Sequence, residues 1–167
     1  LPLRNFQQYM DWISRLEKLD DAIDQYIKLA KQGIENQIMP PKVLMSRVLN
    51  QIKLQNVDSY INSPFYDAFE VLPDEISNQE QKQIREQAET TITNVVIPSY
   101  VKLLTFFENS YYPNCRDTIG ISDIKNGSQY YELIARQFTT TELTPDEIHN
   151  IGLSEAVSYT HLRAHET

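Results

Sequence analysis

The stretch SNQEQKQIREQAETTITNVVIPSYVKLLTFF, residues 77–107, decides the fold class. Ser77 and Glu80 have the spacing of a capping box, in which each side chain satisfies a free backbone N–H at a helix start. Ile84, Ala88, Ile92, Val95 and Val96 follow at helical spacing and predict one long buried stripe. Pro98 falls inside the pattern and is expected to kink or split the helix, because proline lacks an N–H and its ring crowds the preceding turn. Tyr100, Val101, Leu104 and Phe107 resume the stripe, with an end expected near Asn109. The β-branched run Asn94–Ile97 fits inside this helix better than it fits a strand.

The same periodicity extends outward in both directions. Phe6, Tyr9, Met10, Ile13 and Leu16 mark a first stripe, and Ile23, Tyr26, Ile27, Ala30 and Ile34 a second. Asp20, Asp21 and Asp24 crowd the start of the second helix, where the helix dipole favours negative charge. They read as a solvated first turn rather than as a carboxylate site. Gly33 is the expected helix stop. Pro40-Pro41 opens a third helix carrying Leu44, Met45, Val48, Leu49 and Ile52. Residues 56–73 break the period, and Phe65, Tyr66 and Phe69 are expected to pin this loop to the helices. Beyond a loop over residues 114–127, Ser128–Phe138 predicts a helix with Tyr130, Tyr131, Ile134 and Phe138 inward. Thr144-Pro145-Asp146-Glu147 supplies a cap threonine, a first-turn proline and a glutamate at the third position, the strongest local signal in the chain. Every strong element is helical, so the expected fold is all-α, an irregular antiparallel helical bundle.

Composition narrows the function classes. The chain has 167 residues and a formal net charge of −8, which disfavours a nucleic-acid or anionic-membrane binder, since both want clustered Lys and Arg. One cysteine rules out an intrachain disulfide and any multi-cysteine zinc site. No apolar run approaches the roughly 20 residues needed to span a bilayer. No signal peptide opens the sequence, and its start at Leu1 leaves room for a cropped leader. Four glycines disfavour phosphate loops and hairpin-rich folds. No phosphate loop, dinucleotide turn, Gly-x-Ser-x-Gly elbow or His-Glu-x-x-His motif is present.

Residues Val157–Thr167 resemble one reading frame of a transposase adapter used in preparing sequencing libraries, across all eleven positions. The reading is therefore 1–156 as a fragment of one helical domain and 157–167 as a non-native tail. His161, His165 and Glu166 imitate half a zinc site, and all three lie in that tail. Removing the tail takes one Arg and one Glu, leaving the charge at −8, and reduces the three histidines to one, His149. A single histidine is more often a capping or packing residue than a ligand or base. Cys115 has no lysine or histidine beside it in sequence to activate its thiol. No catalytic, cofactor-binding or metal-ligating residue is assigned.

Ser63-Pro64-Phe65-Tyr66, Ile97-Pro98-Ser99-Tyr100, Gly127-Ser128-Gln129-Tyr130-Tyr131 and the block Thr139–Leu153 occur in an order that resembles the bacterial family labelled "domain of unknown function eight-eight-five". Gly33 and Pro40-Pro41-Lys42-Val43 fit the same pattern, and Thr139–Leu153 is its most specific part. Family members are large, mostly helical and similar to gluzincin-type zinc metallopeptidases, and many look exported, periplasmic or lipid-anchored. The resemblance implies an incomplete piece of a larger metallopeptidase-like fold. Zinc and a peptide substrate belong to the full-length parent, and the partner of this piece is the remainder of that chain. The family's zinc motif, a His-Glu followed by Gly-His on a later helix, matches no position of 1–156, so the piece is expected to be inactive alone and to carry no cofactor. Two other readings stand beside it. One is a self-contained acidic helical interaction module, expected to lack a large apolar patch. The other is a small acid–base enzyme using His149.

Overall fold

The computed structural model describes residues 3–165, with side chains described for residues 3–158. Among the described residues the chain is all-α, with one isolated backbone bridge between Pro41 and Arg116. It divides into two compact units, Leu1–Asp117 and Thr118–Thr167.

The N-terminal unit holds helices α1 (Phe6–Glu17), α2 (Leu19–Glu35), α3 (Lys42–Leu54), the one-turn α4 (Asp67–Glu70), α5 (Asn78–Thr91) and α6 (Ile97–Phe106). The capping box at α5 forms as read: Ser77 Oγ accepts from the Glu80 amide at 3.4 Å, and the Glu80 carboxylate accepts from the Ser77 amide at 3.1 Å. α1 and α5 pack together through Tyr9, Ile13, Leu16, Ile84 and Ala88, all buried. An isoleucine or leucine side chain contributes about 1.5–3 kcal/mol on leaving water, the Ala88 methyl less. The loop over 56–73 is pinned as expected. Phe69 is fully buried in the same cluster, its ring centroid 5.9 Å from Tyr9 and 6.0 Å from Tyr66.

Pro98 splits the long helix in a particular way. Residues Ile92–Val96 widen into a π-helical turn, and α6 starts immediately after, with Pro98 in its first turn. A proline inside a regular α-helix removes one hydrogen bond and collides with the carbonyl four residues back. A π turn ending at Val96 places the proline at a fresh helix start, where the missing N–H has no partner to lose. The stripe therefore continues through the break, and Ile92 and Val96 are buried. The helix also runs past the expected end near Asn109, through a second π segment, Phe107–Tyr111, and a 3-10 turn, Tyr112–Asn114.

The stop of α2 differs from expectation. Gly33 lies inside the helix, and the left-handed residue is Gln37, at φ 59°. The Ile38 amide donates to the Gly33 carbonyl at 2.9 Å and the Gln37 amide to Ile34 at 3.1 Å, the paired bonds of a Schellman motif. Those bonds hold a conformation that a non-glycine side chain disfavours.

The C-terminal unit holds a 3-10 turn, Ile121–Asp123, then α7 (Gly127–Thr139) and α8 (Pro145–His165). Thr144 caps α8 as read. Its Oγ1 accepts from the Glu147 amide at 3.3 Å, and the Glu147 carboxylate accepts from the Thr144 amide at 2.8 Å. The amide bond to that carboxylate, and a second from the Thr144 hydroxyl at 2.8 Å, hold the Glu147 carboxyl below its ordinary range. α7 forms where expected, but its stripe does not face inward. Tyr130 and Tyr131 are exposed and Phe138 is 82% exposed. Gly127 is the one buried residue among the described residues of this unit. Its close approach explains why it is glycine: a Cβ there would lie 1.9 Å from the Ile121 carbonyl oxygen.

Candidate functional site

The residues that sequence reading weighed for chemistry do not converge. His149 is exposed near the start of α8. Cys115 is buried, its thiol donates to the Tyr111 carbonyl at 3.4 Å, and burial pushes its pKa up against a smaller opposing effect of Lys42. It is therefore held as an inert thiol. The side chains of His161 and His165, and all of Glu166, lie outside the described residues. Among the described residues no three His, Cys, Asp or Glu side chains gather where they could hold a metal ion. Structural and catalytic zinc sites take three or four such ligands. The donor set of the described residues therefore does not fit zinc.

The Asp cluster at the start of α2 does more than sit in solvent. Ser99, fully buried on α6, donates to Asp20 Oδ1 at 2.8 Å. Lys102, one turn further along α6, pairs with Asp20 and, at 2.6 Å, with Asp24. Hydrogen bonds from Lys102 and then Ser99 hold the Asp20 carboxyl below its ordinary range, and Asp20 and Asp24 raise the Lys102 ammonium. The cluster clamps α2 to α6. Sequence showed the carboxylates but not their partners, which lie 79 residues away for the Ser99–Asp20 bond.

With α2 fixed on α6 and α3 packed beside them, two concavities open on either side of Val48 and Ile52 of α3. The first, about 440 Å³, is lined by Gln51, Gln55, Pro64, Phe65 and Tyr100, with Phe65 and Tyr100 ring centroids 5.7 Å apart. Burial raises the Tyr100 hydroxyl pKa. The second, about 350 Å³, is almost wholly aliphatic and aromatic: Tyr26, Ile27, Ala30 and Met45 face Leu103, Phe106, Phe107 and Tyr111. Tyr26, read as an inward position of the second stripe, is 66% exposed on this groove. Neither concavity carries a nucleophile–base pair or a cluster of carboxylates among its lining residues. The aromatic spacing 65/100 and 26/106/111 joins residues too far apart in sequence for any local pattern to reveal.

A family model described as "Bacterial protein of unknown function (DUF885)" matches residues 1–161. The chain belongs to the DUF885 family. The matched span includes residues 157–161 of the adapter-like tail. The DUF885 chain is also similar to a crystal structure described as "the putative lipoprotein from Colwellia psychrerythraea", with a TM-score of 0.79 and 24% identity. That likeness covers 96% of this chain and 28% of that chain, and at this identity it shows the fold. No curated protein matches. No helix among the described residues is long and apolar enough to cross a membrane.

Proposed function

We propose that this chain is a non-catalytic helical portion of a longer DUF885 protein with zinc-peptidase-like chemistry, serving there as scaffold and as one wall of a substrate cleft. The observation that carries the reading is the unequal coverage. Nearly all of this chain superposes on a solved relative, yet it accounts for 28% of that relative's length. The exposed apolar stripe of α7 supports it further. With one buried residue among its described residues, the C-terminal unit has little core of its own, as a piece of a larger core would. The same exposed apolar surface counts against a self-contained acidic module.

The peptidase character rests on the sequence resemblance, as does an exported or lipid-anchored compartment for the parent. The reading of 157–167 as adapter-derived rests on its eleven-residue match, against a family match that reaches residue 161. Because the described residues do not fit zinc, no catalytic step is assigned to them.

Metal content tests the proposal. The purified chain, carrying His161→Ala and His165→Ala to remove the tail imidazoles, is exposed to zinc and desalted. Mass spectrometry is expected to find far less than one zinc per chain, whereas a longer DUF885 protein treated alike retains about one. Stoichiometric zinc on the double variant would place a metal centre within this chain and sink the reading.

A further inference from the structure

We propose that the apolar groove between α2, α3 and α6 is the seat of an amphipathic helix from the remainder of the same longer polypeptide. The inference rests on the portion-of-a-longer-protein reading and names the partner of one surface within it.

The groove's chemistry suits permanent cover better than a passing ligand. Small-molecule sites place a few convergent polar groups in an apolar cleft to fix orientation. Here Ile27, Ala30, Met45, Leu103 and Phe106 offer none, and the tyrosines bring only hydroxyls. The neighbouring cavity, with the Gln51 and Gln55 amides, shows what a more polar lining on the same helix looks like. The dimensions suit a helix. Met45, Val48 and Ile52 run along about two turns of α3, roughly 10 Å at 1.5 Å per residue. A fourth helix laid over α2, α3 and α6 at the usual 8–10 Å spacing would bury its own apolar stripe against them. The rim adds a charge preference. Lys31 holds its ammonium 5.9 Å from the ring centroid of Phe106, a lining residue. The occupant therefore carries aliphatic residues at spacings of three and four, with an acidic residue beside Lys31.

The source of that helix follows from length. A solved relative has this fold within 28% of its chain, so most of such a polypeptide lies outside the part seen here. A tethered helix acts at an effective concentration in the millimolar range, which lets a shallow groove stay filled without high intrinsic affinity.

A thiol probe decides it. Tyr26→Cys replaces a mostly exposed side chain at the groove edge, and Gln83→Cys places a control thiol on the exposed side of α5. Maleimide labelling at each position is mapped by peptide mass, with buried Cys115 left in place. In the present chain both new thiols are expected to label rapidly. In the longer DUF885 chain, position 26 is expected to label at least ten-fold more slowly, with position 83 unchanged. Equal labelling of position 26 in both chains, with the longer one unfolding cooperatively, would overturn the inference while leaving the portion reading intact. Protection of position 26 in the present chain that grows with protein concentration would also overturn it, by putting a second copy in the groove. Failure of the portion reading has a different signature: the source gene then encodes no longer chain, and the inference falls with that reading.

Discussion

Phe69→Ala is expected to destabilise the N-terminal unit by about 3–5 kcal/mol, the range for deleting a buried aromatic ring. Phe69 has no exposure and sits at the convergence of Tyr9, Tyr66 and the α5 stripe. It comes from α4, a helix of one turn that cannot hold itself together by backbone bonds alone. Losing the ring therefore removes core volume and also frees the loop over 56–73. Arg85 ties that loop back to α5, with Nε donating to the Phe69 carbonyl at 3.4 Å, and one long bond of this kind is worth about 1 kcal/mol. A domain of this size is typically stable by about 5–15 kcal/mol, so the variant should sit near the unfolding threshold. Urea unfolding followed by circular dichroism checks it, with exposed Val71→Ala as a neighbour expected to change stability by less than about 0.5 kcal/mol. A cost below about 1 kcal/mol for Phe69→Ala would mean the ring is not packed as described.

Gly127→Ala is expected to have the largest effect in the C-terminal unit. The added Cβ would meet the Ile121 carbonyl oxygen at 1.9 Å and the Ser122 carbonyl carbon at 3.0 Å, both backbone atoms that cannot rotate away. The start of α7 must then separate from the 3-10 turn at Ile121–Asp123. Overpacking of this kind costs typically 1–3 kcal/mol, and a backbone collision belongs in the upper half of that range. About 2–3 kcal/mol corresponds to a roughly 30- to 150-fold loss of protection in amide exchange. That loss should appear at the Gly127 amide, which donates to the Ile124 carbonyl at 2.8 Å, and at the Tyr130 amide, which donates to Asn126 at 3.0 Å. The amides of α5 should be unchanged. Unaltered exchange at Gly127 and Tyr130 would contradict the close approach.

These two positions also show what sequence could and could not reveal. Phe69 was legible as a loop anchor because an aromatic in a polar stretch has few other roles. Gly127 was legible as the end of a loop running into a helix, but the need for glycine came from a carbonyl six residues earlier. The all-α class, the Ser77 and Thr144 caps and the break at Pro98 were readable because each depends on residues within one or two turns. Burial was less so. Periodicity states which residues share a face, and whether anything covers that face is decided elsewhere in the chain. Tyr130, Tyr131 and Phe138 share a stripe on α7 as read, yet stand exposed. Tyr26 shares the α2 stripe and lines an open groove. The Asp20–Ser99–Lys102 clamp and the Phe65–Tyr100 pair were invisible for the same reason, since each joins segments far apart in sequence. The stop of α2 shows a subtler failure: Schellman bonding placed the left-handed residue at Gln37, four residues beyond the glycine that propensity favoured.

The central claim is that this DUF885 chain is one portion of a longer protein. Reading the source gene through the codon for Ala156 in uninterrupted genomic DNA tests it most directly. The account predicts that family sequence replaces Val157–Thr167 and that the frame runs on to a helix bearing a His-Glu followed by Gly-His. The same eleven residues in the genome, followed by a stop codon, would contradict it.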